Sequence, residues 1–338
     1  YAQADVEGRD AGVLETFGIG GLFAQPSIVG ATTTGERQRA LALAPRGARW
    51  VVGYDDTSAA DRNQVPATGG YVTQDYKLNQ DVILAGAAAS LPAGFRPGDA
   101  LPADLRSTLQ LDTRQVAAGR VAELSVLSNQ AVSVRDAIRA PDGGALNIVG
   151  ANVDIGADLV STGGAISGTA RNTAGRLADA LPAPRLAVAD GVTIATRGAW
   201  VNERPGVGGA SAAPIDGGRI ALKPESVSDG VTSFVARGRL GLGGGGELHA
   251  HGGARLEANR ALRGGDGGEI ALAGFAIAGF DGASIHAYGV GAGGALEIGA
   301  NRIEVDGAGA PASDLLALDS GVFSRGGFVR YSLNALSR

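Results

Sequence analysis

The chain has no cysteine and no methionine, and only Lys77 and Lys223 among its 29 basic residues are lysines. Without cysteine there is no disulfide framework, thiol nucleophile or thiolate metal ligand, and cysteine usage gives no guide to compartment. Without methionine, Tyr1 does not read as a translation start. The chain is therefore expected to be an internal or C-proximal piece of a longer polypeptide, in which a signal peptide need not be visible. Long apolar runs are also missing. The longest, Ile270 to Phe280, is broken by Gly274 and Gly279 and falls short of the roughly 18–20 residues needed to cross a bilayer. No transmembrane segment is expected. The 29 basic and 34 acidic residues are scattered, for a net charge of −5. With no basic stripe, nucleic acid is not an expected partner.

Glycine is what the chain has in excess, at 56 of 338 residues, more than twice the usual share of about 7%. That much glycine often accompanies disorder. Here 44% of residues are apolar and mean hydropathy is +0.08, whereas disordered segments are poor in apolar residues and rich in net charge. The glycines must lie within a packed structure, at tight turns between short apolar strands.

One unit recurs along the chain: two glycines, a variable residue, an apolar residue, another variable residue and usually a second apolar one. It stands at Gly143-Gly144-Ala145-Leu146-Asn147-Ile148, more weakly at Gly163-Gly164-Ala165-Ile166, and again at Gly217-Gly218-Arg219-Ile220-Ala221-Leu222. Further copies begin at Gly245, Gly267 and Gly293. Alternation within a unit has the period of a strand with one buried face. Asn152 to Ile155 and Arg302 to Val305 read as further strands between the units. Asp-Gly pairs at Asp142, Asp190, Asp216, Asp229, Asp266, Asp281 and Asp306 punctuate them. Asp-Gly can mark a hairpin, but hairpin proteins repeat every 8–12 residues without a longer beat. Here the unit returns only after further strands, as if each spacing were one coil stacked on the last. Leu248, Ile270 and Leu296 are then expected to share an internal column. The glycines leave little room for long helices. The fold class expected is all-β, a parallel β-solenoid with loop excursions.

Regularity divides the chain. Residues 1–110 are less repetitive, with an extended loop expected near 53–70. Residues 111–310 read as the parallel β-helix, interrupted around Pro182, Pro184, Pro205 and Pro214 by a decorated coil with a loop from Asn202 to Ala213. Residues 311–338, with Phe323, Phe328 and Tyr331, are expected to be a cap or transition segment covering an open end.

These motifs resemble the filamentous-haemagglutinin family of large exoproteins. The resemblance rests on Val121 to Ser128 running on to Gly164, on Gly198-Ala199-Trp200-Val201-Asn202 followed by Gly217 to Leu222, on Gly243 to Val305, and on Gly321 to Tyr331. It covers about residues 100–338 and lies in the order of the motifs rather than in any one of them. It implies a rod-like right-handed parallel β-helix, secreted through an outer-membrane two-partner secretion transporter and displayed at the bacterial cell surface. The implied role is structural and adhesive, toward a host or neighbouring cell surface whose glycan or protein is unknown, rather than enzymatic. The stalk of a contact-dependent toxin and a carbohydrate-active β-helix enzyme are the alternatives.

Candidate chemistry is sparse. His249 and His251 are two apart on an expected strand and so share a face, a spacing that can begin a metal site; His286 or Glu269 from an adjacent coil is the conceivable third ligand. The plainer reading is a pair of solvent-facing polar residues. Asp55-Asp56 could serve as a glycosidase pair but sit beside Thr57 and Ser58, as in a polar turn. Gly264 to Gly268 lacks the tandem aspartates of a calcium-binding repeat. Gly241 to Gly246 lacks the lysine and helix of a phosphate loop. Both read as turns. Trp50 and Trp200 with Tyr54, Tyr71 and Tyr76 offer sugar-stacking surface if exposed, and packing against the solenoid if not. No catalytic, cofactor-binding or metal site is assigned on these grounds, and no cofactor is expected.

Overall fold

A strand with alternate apolar residues buries one face only when something covers it, and here the covering layer is the rest of the same winding. The computed structural model describes residues 7–35, 37–38, 45–54, 76–96, 98–171, 182–206, 211–225, 227–228, 234–307 and 313–335. One winding shows the plan. Ala145–Gly150 lies in a first sheet, Asn152–Ile155 in a second and Leu159–Ser161 in a third. Ala165–Ala170 then returns to the first sheet and pairs parallel with Ala145–Gly150, residue for residue.

The first sheet has nine strands, all parallel and in chain order: Val13–Thr16, Ala48–Val52, Val121–Leu127, Ala145–Gly150, Ala165–Ala170, Arg219–Pro224, Glu269–Ala273, Gly294–Ala300 and Phe328–Ala335. The second has seven strands and the third five. Only Thr108–Asp112 breaks chain order in the second sheet, standing outside Asp81–Ala85. Mostly strand, in long parallel sheets, the chain is consistent with an all-β parallel β-helix or solenoid. Among the described residues antiparallel pairing is confined to two hairpins, Val227–Ser228 with Phe234–Ala236 and Ala254–Leu256 with Leu262–Gly264.

Register builds the core. In the first sheet Trp50, Leu124, Leu146, Ile166, Ile220, Ile270 and Leu296 pair in succession, and none is more than 2% exposed. Val82, Val132, Val153, Leu186, Leu240 and Ile277 make the matching column in the second sheet. At roughly 1.5–3 kcal/mol for each large apolar side chain buried, these columns outweigh the ion pairs of the outer face. Arg49–Glu123 at 2.8 Å and Arg219–Glu269 at 3.3 Å are both solvated, and such pairs contribute about 0–1 kcal/mol.

Two sequence expectations need correction. The Gly245 unit does not return to the first sheet; it leads into Glu247–His249 in the third. Ile270 and Leu296 do pair, but Leu248 stacks between Ile194 and Ile285 in that third sheet. A glycine pair serves any corner that turns into a strand, so the motif marks corners rather than one sheet. The winding from Gly217 to Gly267 is long because it carries both hairpins. Asp229 and the loop expected from Asp55 onward lie outside the described residues.

The second glycine of the unit has a specific cause. The amides of Ala165, Arg219, Glu269 and Ala295 donate to the carbonyl oxygens of Gly144, Gly164, Gly218 and Gly268, at 2.9–3.0 Å. A Cβ on Gly164, Gly218, Gly268 or Gly294 would fall far inside van der Waals contact with the carbonyl oxygen of the glycine one winding earlier. At this corner the side-chain direction points along the stack, so only glycine lets successive windings close to ladder spacing. Toward the C-terminus Leu315–Leu318 pairs with Arg302–Val305 in a separate two-stranded parallel sheet, and Phe328–Ala335 is the last strand of the first sheet.

Two stability measurements by urea denaturation follow. Ile270→Asp places a carboxylate between Ile220 and Leu296 and is expected to cost about 4 kcal/mol or more, whereas Glu269→Ala on the outer face costs under about 1 kcal/mol. Gly218→Ala is expected to cost more than about 2 kcal/mol by forcing two windings apart. Gly241→Ala, where an added Cβ meets nothing within 4 Å, is expected to be neutral or slightly stabilising.

Candidate functional site

Leu248 and Ala250 are buried in the core, so alternation sends Glu247, His249 and His251 to the outer face of the third sheet. Parallel pairing sets His249 beside His286, and the same alternation carries Tyr288 next to His251. The rings meet: His251 and Tyr288 stack at 5.5 Å and 18°, and His249 lies 5.6 Å from His286 between ring centres. These are the chain's three histidines. One nitrogen from each falls in a group whose members all lie within 4.8 Å of one another.

The hydrogen bonds fix where the protons sit. The Tyr288 amide donates to His251 Nδ1 at 3.1 Å, so the proton of a neutral His251 ring is on Nε2. That nitrogen is 3.0 Å from His249 Nδ1, which must accept. The His249 proton is then on Nε2, 2.9 Å from Glu247 Oε2. The chain of bonds runs one way, from a backbone amide through two neutral imidazoles to a carboxylate. Burial pushes His251 down to about 4, helped by the neighbouring charges of His249, Arg197 and His286. Burial lowers His249 as well, against the pull of Glu247. Glu247 itself is held below the usual carboxylate range by its bond to His249.

Beside the cluster lies an open groove of about 590 Å³, lined by Arg197, Trp200, His251, Tyr288 and Val290 with the backbone of Gly198, Gly252 and Gly289. Trp200 is 74% exposed and Tyr288 52%. Trp200 is presented on the strand Trp200–Asn202, which pairs parallel with Ala254–Leu256 of the excursion hairpin.

Of the residues singled out in sequence, His249, His251 and His286 converge. Glu269 does not join them; it belongs to the first sheet and pairs with Arg219. Trp50 is 1% exposed and Tyr76 6%, so both pack the solenoid. Tyr54 lies against Phe17 and under the Lys77 ammonium, 3.8 Å from its ring centre. Asp55, Asp56 and Tyr71 lie outside the described residues. Of the run Gly241 to Gly246, Gly241 lies in the strand Arg239–Leu242, and Gly243 to Gly246 turn from it into Glu247–His249, with Gly245 at φ 69°. Tyr288, Glu247 and Arg197 were not singled out. Tyr288 follows His286 by two residues as His251 follows His249, a signal that becomes readable only once the register is known. No family model, curated protein or solved structure matches the chain.

A pH dependence follows from His251. Its folded pKa of about 4 lies below the usual imidazole value of about 6.5, so the unfolded chain takes up this proton first as pH falls. Stability is therefore expected to be full above about 6.5 and to decline as pH falls toward about 4. In chelator, the urea midpoint of wild type should drop more between pH 7 and pH 5 than that of His251→Gln.

Proposed function

We propose that this chain is a stretch of a right-handed parallel β-helix from a secreted surface exoprotein of the filamentous-haemagglutinin kind. It is exported through an outer-membrane two-partner secretion transporter and holds a glycan-bearing surface of a host or neighbouring cell. The observation that carries the adhesive part is the groove beside Trp200 and Tyr288. Two strongly exposed aromatic rings stand over a scaffold whose own core is closed, and exposed apolar surface of this kind marks contact with a partner. Aromatic faces bind the apolar faces of sugar rings while their polar edges stay wet, and Arg197 at the rim supplies donors for hydroxyl or carboxylate groups. The order of the Gly-Gly, Trp-Val-Asn and tail motifs supports the family.

Nine strands about 4.8 Å apart put roughly 38 Å between the outermost strands of the first sheet. That length is close to the diameter of a globule of this mass, so scattering dimensions discriminate poorly and binding is the better test.

Beads coated with the purified chain are expected to attach saturably to cell surfaces and to a subset of a glycan array. Trp200→Ala should weaken that attachment at least about tenfold, the equivalent of ~1.4 kcal/mol, without shifting the melting temperature. Attachment indifferent to Trp200→Ala, or none to any surface, contradicts an adhesive groove. A carbohydrate-active enzyme would also cleave the glycan it binds, and a toxin stalk would bind none.

A further inference from the structure

We propose that His249, His251 and His286 form a binding site for one divalent transition-metal ion of the zinc class on the outer face of the third sheet. Three nitrogen donors on two adjacent windings lie within 4.8 Å of one another, and they account for every histidine in the chain. A stack of rings for packing alone needs neither imidazole in particular nor nitrogens aimed at one another. Bonds of about 2.0–2.1 Å at a tetrahedral angle place two ligand nitrogens roughly 3.3 Å apart on one zinc ion. His251 Nε2 and His249 Nδ1 are already 3.0 Å apart, and an ion would take the place of the proton they share. His286 comes from the next winding, set beside His249 by the strand register.

The surroundings suit such an ion. Glu247 accepts from the far nitrogen of His249, the carboxylate–histidine arrangement that orients a ligand and raises its basicity. An all-nitrogen donor set selects zinc, nickel or copper over calcium and magnesium, which require oxygen. Arg197 is a cation beside the cluster and opposes binding; Glu247 is the carboxylate that offsets it. Three protein ligands leave one tetrahedral position open, on a cluster that borders the groove of Trp200 and Tyr288. One contact must be given up. With an ion on His251 Nε2 the ring proton moves to Nδ1, so the bond from the Tyr288 amide opens.

The test is zinc titration of the full chain, carrying no histidine tag, by calorimetry, with cobalt as the spectroscopic probe. One equivalent is expected to bind. Bound cobalt should show the intense visible absorption of a tetrahedral site, and the Tyr288 amide resonance should move on adding zinc. His286→Gln and His251→Gln should each weaken binding at least about a hundredfold while leaving the melting temperature in chelator near that of wild type. Glu247→Gln should weaken it about tenfold, and Arg197→Ala should leave it unchanged or tighter. Should a histidine variant fail to fold, the wild-type histidine and Tyr288 resonances decide the matter on their own. Absence of saturable zinc uptake by the wild-type chain overturns the proposal. So does uptake that survives His286→Gln, or zinc that leaves those resonances unmoved. Neither result bears on glycan attachment, which Trp200→Ala tests separately.

Discussion

Everything in this molecule depends on how closely one winding of backbone approaches the next. Parallel ladders require neighbouring strands about 4.8 Å apart, and corners are where that spacing is hardest to keep. At Gly164, Gly218, Gly268 and Gly294 the position a Cβ would take is filled by a carbonyl oxygen of the previous winding. Glycine there allows contact and hydrogen bonding at once. The abundance of glycine and the high apolar content, which look contradictory as bulk composition, are two sides of one constraint: closed corners bring apolar columns into register.

The same register makes the surface a product of the core. Ile194, Leu248 and Ile285 stack inward in the third sheet, so their neighbours in sequence stack outward. His249 meets His286 for no local reason; each is positioned by the leucine or isoleucine before it. The excursion hairpin Ala254–Leu256 with Leu262–Gly264 costs the core nothing, because it leaves the stack at a corner and returns there. Trp200 pairs with its base. The groove and the imidazole cluster thus sit where a rigid column meets a decorated corner.

The solenoid was legible in the Gly-Gly units, and the strands at Asn152–Ile155 and Arg302–Val305 were legible from alternation alone. The assignment of each unit to a sheet was not. The unit at Gly245 looks like those at Gly267 and Gly293 because all three solve the same local problem, a tight corner before a buried apolar residue. Only the length of chain between corners separates them, and the hairpin from Ala254 to Gly264 hides that length. The site shows the same division. Two histidines on one face followed from a spacing of two, whereas the choice of His286 over Glu269 depended on knowing which sheet each occupies.

The absence of cysteine makes the stacking directly measurable. Ala221 and Ala271 are register partners on the outer face of the first sheet, 50 residues apart in sequence. Paired residues on neighbouring strands lie within the Cα separation of about 4.4–6.8 Å that a disulfide needs. Cysteines introduced at 221 and 271 should oxidise rapidly to an intramolecular disulfide in the folded chain, whereas cysteines at 221 and 273, two residues out of register, should not. Preferential bridging of the offset pair, or no bridging of either, would contradict windings stacked in this register.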